Sequence, residues 1–229
     1  METTPQIINA LTAPPAPSTK DGQPFTGELS PKAESLWALW LKLQTNGNPD
    51  LRSLVAKCAT FALAVKEGGQ PRWLTLLGPS GTGKTHSAKR LWKSLQGRFD
   101  WHRMDFIPAL IYWPAFMSEL RAGGAYDRER EMQRWPLICL DDIGAERDTT
   151  GFASEHLNAL LGARVGRWTN ITSNLSLEQI GAIDPRIADR IIREPNIMIE
   201  LDCESYAMRQ LRPKKHEGTR RNDYSENNR

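Results

Sequence analysis

The chain has 229 residues, 39% of them hydrophobic, which suits one α/β domain with tails and leaves no room for a second large domain. The formal charge of +3 is concentrated at one end: from Arg209 onward seven Lys and Arg face three Asp and Glu, leaving the rest near −1 and excluding a generally basic, nucleic-acid-coating body. Cys58, Cys139 and Cys203 lack metal-ligand spacing and read as reduced, buried thiols of a cytoplasmic protein, and no run approaches the roughly 18 apolar residues of a membrane span.

Residues 1–31 hold six prolines and a single aromatic, Phe25, the composition of a disordered arm. Residues 32–67 read as N-terminal helices leading into a core over 68–208. Between Pro31 and Gln44, the residues Leu36, Leu39, Trp40 and Leu43 recur at i, i+3, i+4 and i+7, with Trp37 and Leu41 broadening the face. Such a helix either packs on its own domain or presents tryptophans to a partner. Asn46-Gly47-Asn48-Pro49 ends it, and Asp50 to Glu67 carries a second stripe of Leu51, Leu54, Val55, Cys58, Phe61, Ala62 and Val65.

The apolar strand Trp73 to Leu77 runs into Gly78-Pro79-Ser80-Gly81-Thr82-Gly83-Lys84-Thr85, followed by a helix-compatible run from His86. This is the Walker A pattern. Its glycines let the backbone curl until N–H groups converge, and the helix that follows adds its positive end, making a phosphate cradle. Lys84 is expected to reach the β- and γ-phosphates of ATP, and Thr85 to ligate Mg²⁺.

A strand is expected from about Ala109 through Trp113, then a helix opened by Pro114 with Phe116, Met117 and Leu120 on its apolar side. The segment Tyr126 to Glu131 reads as an exposed loop; with Arg121, Arg128, Arg130 and Arg134 it is either an ordinary solvated face or a contact to a nucleic-acid backbone. Trp135 to Asp142 is an apolar strand ending in two carboxylates, 57 residues beyond Lys84, the Walker B pattern. Asp141 is expected to hold Mg²⁺ and Asp142 to orient or deprotonate the attacking water. A helix over Phe152 to Val165 leads to a strand from Trp168 that ends in polar Ser173-Asn174, where a side chain at the strand tip would reach a γ-phosphate or water. Asp184 to Arg193 reads as a helix, Ile197 to Leu201 as a last strand, and 209–229 as a basic flexible tail.

The set Gly-Pro-Ser-Gly-Thr-Gly-Lys-Thr-His at 78–86, Leu-Asp-Asp-Ile-Gly-Ala-Glu at 140–146, Thr-Asn-Ile-Thr-Ser-Asn-Leu at 169–175 and Asp-Pro-Arg-Ile-Ala-Asp-Arg-Ile at 184–191 resembles the AAA+ ATPases of the bacterial and phage DnaC/DnaI helicase-loader group and their IstB-like relatives. The resemblance spans roughly residues 50–210. It implies a P-loop NTPase fold, a three-layer α/β/α sandwich around a parallel sheet, with a reduced or absent C-terminal lid. It implies His86 as part of the nucleotide motif, Asn174 as sensor 1, and Arg190, with Arg186 as fallback, as an arginine finger acting on ATP in a neighbouring subunit, hence self-association. The partners it implies are a replicative DNA helicase and single-stranded DNA, for which Trp113 and Tyr126 are candidate stacking residues; a transposition helper or a non-catalytic ATP-binding adaptor are the alternatives. Asp142 departs from the Glu that many AAA+ proteins carry, which leaves Asp142 or Glu146 to position the water, and the N-terminal arm lacks the zinc-ligand cluster of some loaders.

Overall fold

The computed structural model describes residues 29–99, 110–146 and 148–211. The proline-rich arm up to residue 28, the Trp101-His102-Arg103 stretch and the tail beyond residue 211 lie outside them.

Two capped helices open the chain. Ser30 caps α1 (Pro31–Leu41) by accepting from Ala33 N, and Asn48 caps α2 (Pro49–Lys66) by accepting from Leu51 N; both helices place proline in the first turn, where its missing N–H costs nothing. Then follow β1 (Trp73–Leu77), α3 (Lys84–Leu95), β2 (Leu110–Tyr112), α4 (Trp113–Arg121), α5 (Tyr126–Arg134), β3 (Leu137–Ile143), α6 (Phe152–Ala163), β4 (Trp168–Ser173), α7 (Leu177–Ile183), α8 (Pro185–Ile192), β5 (Ile197–Glu200) and α9 (Tyr206–Leu211).

The five strands form one parallel sheet in the order β2-β3-β4-β1-β5. Alternation along its strands divides the core in two. Leu74, Leu76, Leu137 and Cys139 join α1, α2 and α3 on one face, whereas Trp73, Leu77, Ile138 and Leu140 join the apolar sides of α4, α6, α7 and α8 on the other. This is the three-layer α/β/α architecture expected from the sequence. The P-loop follows β1, and the carboxylates follow β3, so both emerge at the same carboxyl edge of the sheet, where ligands of open α/β folds bind.

Four local expectations are corrected. In α1 the buried side is Trp37, Ala38, Trp40 and Leu41, while Leu36 is half-exposed and Leu39 is 75% exposed. Trp37, Trp40 and Leu41 satisfy the same i, i+3, i+4 spacing, and turning that way buries both indole rings, packed edge to face at 5.3 Å. The tryptophans are therefore core and not a partner-facing module. The segment from Tyr126 is helical rather than a loop: Met132 and Glu129 are buried on its inner side, Glu129 bonding His156 at 2.6 Å, and ion pairs Arg130–Asp127 and Arg134–Glu131 line its outer side. Trp113 starts α4 instead of ending a strand and is fully buried, so it cannot stack on a base. Residues 209–211 continue α9, so the basic tail does not begin at Arg209.

Arg164, just past α6, is completely buried. Its Nε donates to Thr169 Oγ1 at 2.9 Å, Nη1 to the carbonyls of Met132 and Trp135 at 2.6 and 2.9 Å, and Nη2 to that of Trp168 at 2.6 Å. It ties α5, the turn into β3 and the start of β4 together. Burial, with Arg167 nearby, pushes its pKa well below the ordinary arginine value.

Candidate functional site

A cleft of about 760 Å³ opens at the carboxyl edge of the sheet, lined by residues 80–86, Lys89, Tyr112, Asp141, Asp142 and Asn174, by residues 42–44 of the turn after α1, and by Tyr206 and Arg209 of α9. Lys84, in the first turn of α3, is buried. Its Nζ donates to the carbonyls of Gly78 and Pro79 at 2.7 and 2.6 Å and to Asn174 Oδ1 at 3.1 Å. Gly78 and Pro79 thus stand behind the cleft wall and hold the lysine, while Ser80 to His86 form the wall itself. Burial lowers the Lys84 pKa below its ordinary value, against the pull of the nearby carboxylates, Asp142 foremost.

The chain of contacts continues through Asn174, whose Nδ2 donates to Asp142 Oδ1 at 2.6 Å. Asp142 sits at a register shift in β3 with φ of +65°, the left-handed region that Asp and Asn tolerate far better than longer side chains. Its N–H donates to Thr172 Oγ1 at 2.9 Å, and that hydroxyl donates to Asp141 Oδ1 at 2.8 Å. One β4 threonine therefore holds the backbone of Asp142 and the carboxylate of Asp141. Asp141 is buried, with Lys89 Nζ 3.9 Å from its second oxygen. Burial, then the Asp141 charge, holds the Asp142 carboxyl above its ordinary value, with Lys84 pulling the other way.

Glu146 is held elsewhere. Its carboxylate accepts from Trp113 Nε1 at 3.1 Å and from Gly144 N at 2.9 Å, and it borders a separate small cavity with Leu157, Ile180 and Ile187. Of the two acids considered for positioning water, only Asp142 faces the cleft.

The two arginines considered as fingers do not line the cleft of their own chain. Arg190 Nη1 donates to the Asn158 carbonyl at 2.9 Å and also contacts Asn158 Oδ1. Arg186 forms a two-pronged pair with Asp184, Nε at 3.0 Å and Nη2 at 2.8 Å, which raises the arginine pKa and lowers that of the carboxyl. The arginines once considered for nucleic acid are matched as well: Arg121 by Asp148 at 3.5 Å, Arg128 by Glu119, Arg130 by Asp127 and Arg134 by Glu131.

Several lining residues carried no motif. Lys42, Leu43 and Gln44 reach the cleft because α1 ends against α3, where His86 Nε2 donates to the Leu41 carbonyl at 2.7 Å and Arg90 Nε donates to that of Trp40. Thr172 lies inside the 169–175 motif, but nothing local marks it as the residue that bonds both aspartates.

The donor set fits a polyphosphate accompanied by a divalent cation. It offers a backbone cradle opening a helix, a buried lysine, and a hydroxyl, Thr85, lining the same cleft as the buried carboxylate Asp141. Among the described residues no group of three His, Cys, Asp or Glu could hold a metal by itself; one carboxylate with one hydroxyl is a set that Mg²⁺ uses together with substrate phosphates.

No protein-family model and no curated protein matches the sequence. Solved structures of similar fold include DnaI, with a TM-score of 0.52 and 23% identity over 75% of this chain and 94% of that one, and the DnaC helicase loader, with 0.52 and 20% over 67% and 91%. A replication initiator DnaA bound to AMPPCP and single-stranded DNA matches with a TM-score of 0.50 and 15% identity over 66% of this chain; the match spans 46% of the initiator, less than half its length. The fold is that of the P-loop AAA+ domains.

Proposed function

We propose that the protein is a Mg²⁺-dependent ATPase of DNA replication that acts as a helicase loader, assembling on a replicative helicase and on single-stranded DNA. The observation that carries the ATPase reading is the hydrogen-bonded series Lys84, Asn174, Asp142 in a cleft that Asp141 also lines. The loader reading is supported by the near-complete coverage of DnaI and of the DnaC helicase loader, and single-stranded DNA enters from the initiator of the same fold that holds it.

Thr85 and Asp141 would hold Mg²⁺, which would supply positive charge to offset that developing on the phosphate oxygens. Lys84, released from the Gly78 and Pro79 carbonyls, would turn to the β- and γ-phosphates as a point charge. Asp142 would accept a proton from, or orient, the attacking water, and Asn174 would hold that carboxylate and Lys84 in register. Arg190 of a neighbouring copy would complete the site once it exchanges its bond to Asn158 for the phosphoryl group, so an isolated subunit turns over ATP slowly.

The test is ATP turnover and assembly size of the full chain, measured alone, with single-stranded DNA and with a replicative helicase from the same cell. Stimulation by helicase and DNA with a stable ATP-dependent complex is the expected result. Turnover and size indifferent to both would sink the loader reading while leaving the ATPase reading to be judged by the active-site variants.

A further inference from the structure

Helix α3 brings more than the phosphate-binding lysine to the carboxylates of β3. The Walker A pattern ends at Thr85, but Lys89 follows it at i+4, one helical turn on and on the same face. Thr85, Lys89 and Asp141 all line the cleft. The two oxygens of Asp141 are used differently: Oδ1 accepts from the Thr172 hydroxyl at 2.8 Å, whereas Oδ2 lies 3.9 Å from Lys89 Nζ. A cation held between Thr85 and Asp141 would therefore meet the oxygen that Lys89 already faces.

Burial decides how strongly two such cations would sense each other. The Asp141 side chain is 5% exposed, so its charge is poorly screened, while that of Lys89 is 52% exposed and keeps its ammonium within reach of water. Positive charges a few ångströms apart at a buried carboxylate repel far more than they would at an open surface. At 3.9 Å the pair is also too long for a hydrogen bond. Lys89 is held by charge alone, on a flexible four-carbon stem, and can leave without breaking a directional contact.

We propose that Lys89 is the resident counter-charge of the cation site, pairing with Asp141 until a divalent cation arrives together with a nucleotide. The proposal rests on the nucleotide-binding reading above and adds to it an order of events. Toward a free divalent cation, Lys89 gives up its only carboxylate partner among the described residues and gains nothing. With a polyphosphate in the cleft, Lys89 exchanges that carboxylate for phosphate oxygens of the same charge, so giving way costs little. The site thus selects the cation–nucleotide complex over the free cation, and Lys89 preserves part of the nucleotide affinity when divalent cations are scarce.

The experiment compares the full-length wild type with Lys89→Met, which keeps the apolar stem and removes the charge, with Lys89→Arg, and with Lys89→Met combined with Asp141→Asn. Mn²⁺ is titrated without nucleotide and followed by electron paramagnetic resonance, and a non-hydrolysable ATP analogue is titrated by calorimetry in Mg²⁺ and in EDTA. Without nucleotide, Lys89→Met is expected to bind Mn²⁺ about tenfold more tightly than wild type, Lys89→Arg to stay near wild type, and the gain to vanish with Asp141→Asn. In EDTA, Lys89→Met should bind the analogue about tenfold more weakly than wild type, yet within about threefold of it in Mg²⁺. Equal Mn²⁺ affinity in wild type and Lys89→Met would overturn the proposal, as would a gain that survives Asp141→Asn. Analogue affinity falling equally in Mg²⁺ and EDTA would also overturn it, by making Lys89 a plain phosphate contact. Any of these with tight analogue binding by the wild type sinks this inference alone; a wild type that binds no analogue under either condition sinks the nucleotide-binding reading and this inference with it.

Discussion

Lys84 Nζ lies 3.1 Å from Asn174 Oδ1, joining the first turn of α3 to the residue just past the end of β4. Because Asn174 Nδ2 donates to Asp142 Oδ1 at 2.6 Å, the amide has one orientation that satisfies both neighbours. Asn174→Asp would set a carboxylate against Asp142 and break the series. Asn174→Ala removes the bridge without adding charge, and phosphate release is expected to drop about 10²–10³-fold with nucleotide affinity within a few-fold of wild type. Steady-state kinetics alongside a binding titration separate the two, and equal losses in both would show that Asn174 serves binding only.

The backbone explains why this position carries Asp where the longer Glu is common in the group it resembles. At φ of +65° Asp142 is held by Thr172 and Asn174 in a conformation unfavourable for longer side chains. Asp142→Glu is therefore expected to lose about 1 kcal/mol of stability in urea melts, whereas Asp142→Asn keeps the fold near wild type. A fully stable, fully active Asp142→Glu protein would contradict this account.

The same residue sets a pH dependence. Its carboxyl is held above the ordinary 3.8 by burial and by Asp141, so the folded state retains the proton more strongly than the unfolded state. Its contribution to stability is present below the ordinary value and is lost as pH rises through the raised one. Water activation needs the ionised form, so the acid limb of the turnover profile should lie above the ordinary carboxylate value and be absent from the residual activity of Asp142→Asn. A profile whose limb falls at or below 3.8 would assign the role to another group.

Arg164 is the strongest stability prediction. Replacing it by Met leaves the Met132, Trp135 and Trp168 carbonyls without their donor, and a loss of about 3–5 kcal/mol is expected in urea melts. A change under about 1 kcal/mol would mean water substitutes for the guanidinium.

What was legible in the sequence follows from how local each signal is. The P-loop and the apolar strand ending in Asp141-Asp142 are read from contiguous residues, and the structure places them on one cleft. The helix at Tyr126 was masked by its charge, because its buried side rests on Met132 and a long-range bond from Glu129 to His156. Helix α7 was missed although Ser176 and Gln179 spell a capping box that the structure forms. The choice between Asp142 and Glu146 needed three dimensions, since only the fold shows Trp113 and Gly144 occupying Glu146. Arg209 was lost in a run of basic residues, and nothing in that run foretells a helix turning back over Gly81.

The most direct test is phosphate release from Mg²⁺·ATP by wild type and Asp142→Asn at matched nucleotide occupancy. Turnover by the wild type and a rate about 10²–10⁴-fold lower in the variant, with binding retained, are expected. Equal rates in the two proteins, or a wild type that binds ATP without releasing phosphate even when assembled, would contradict it.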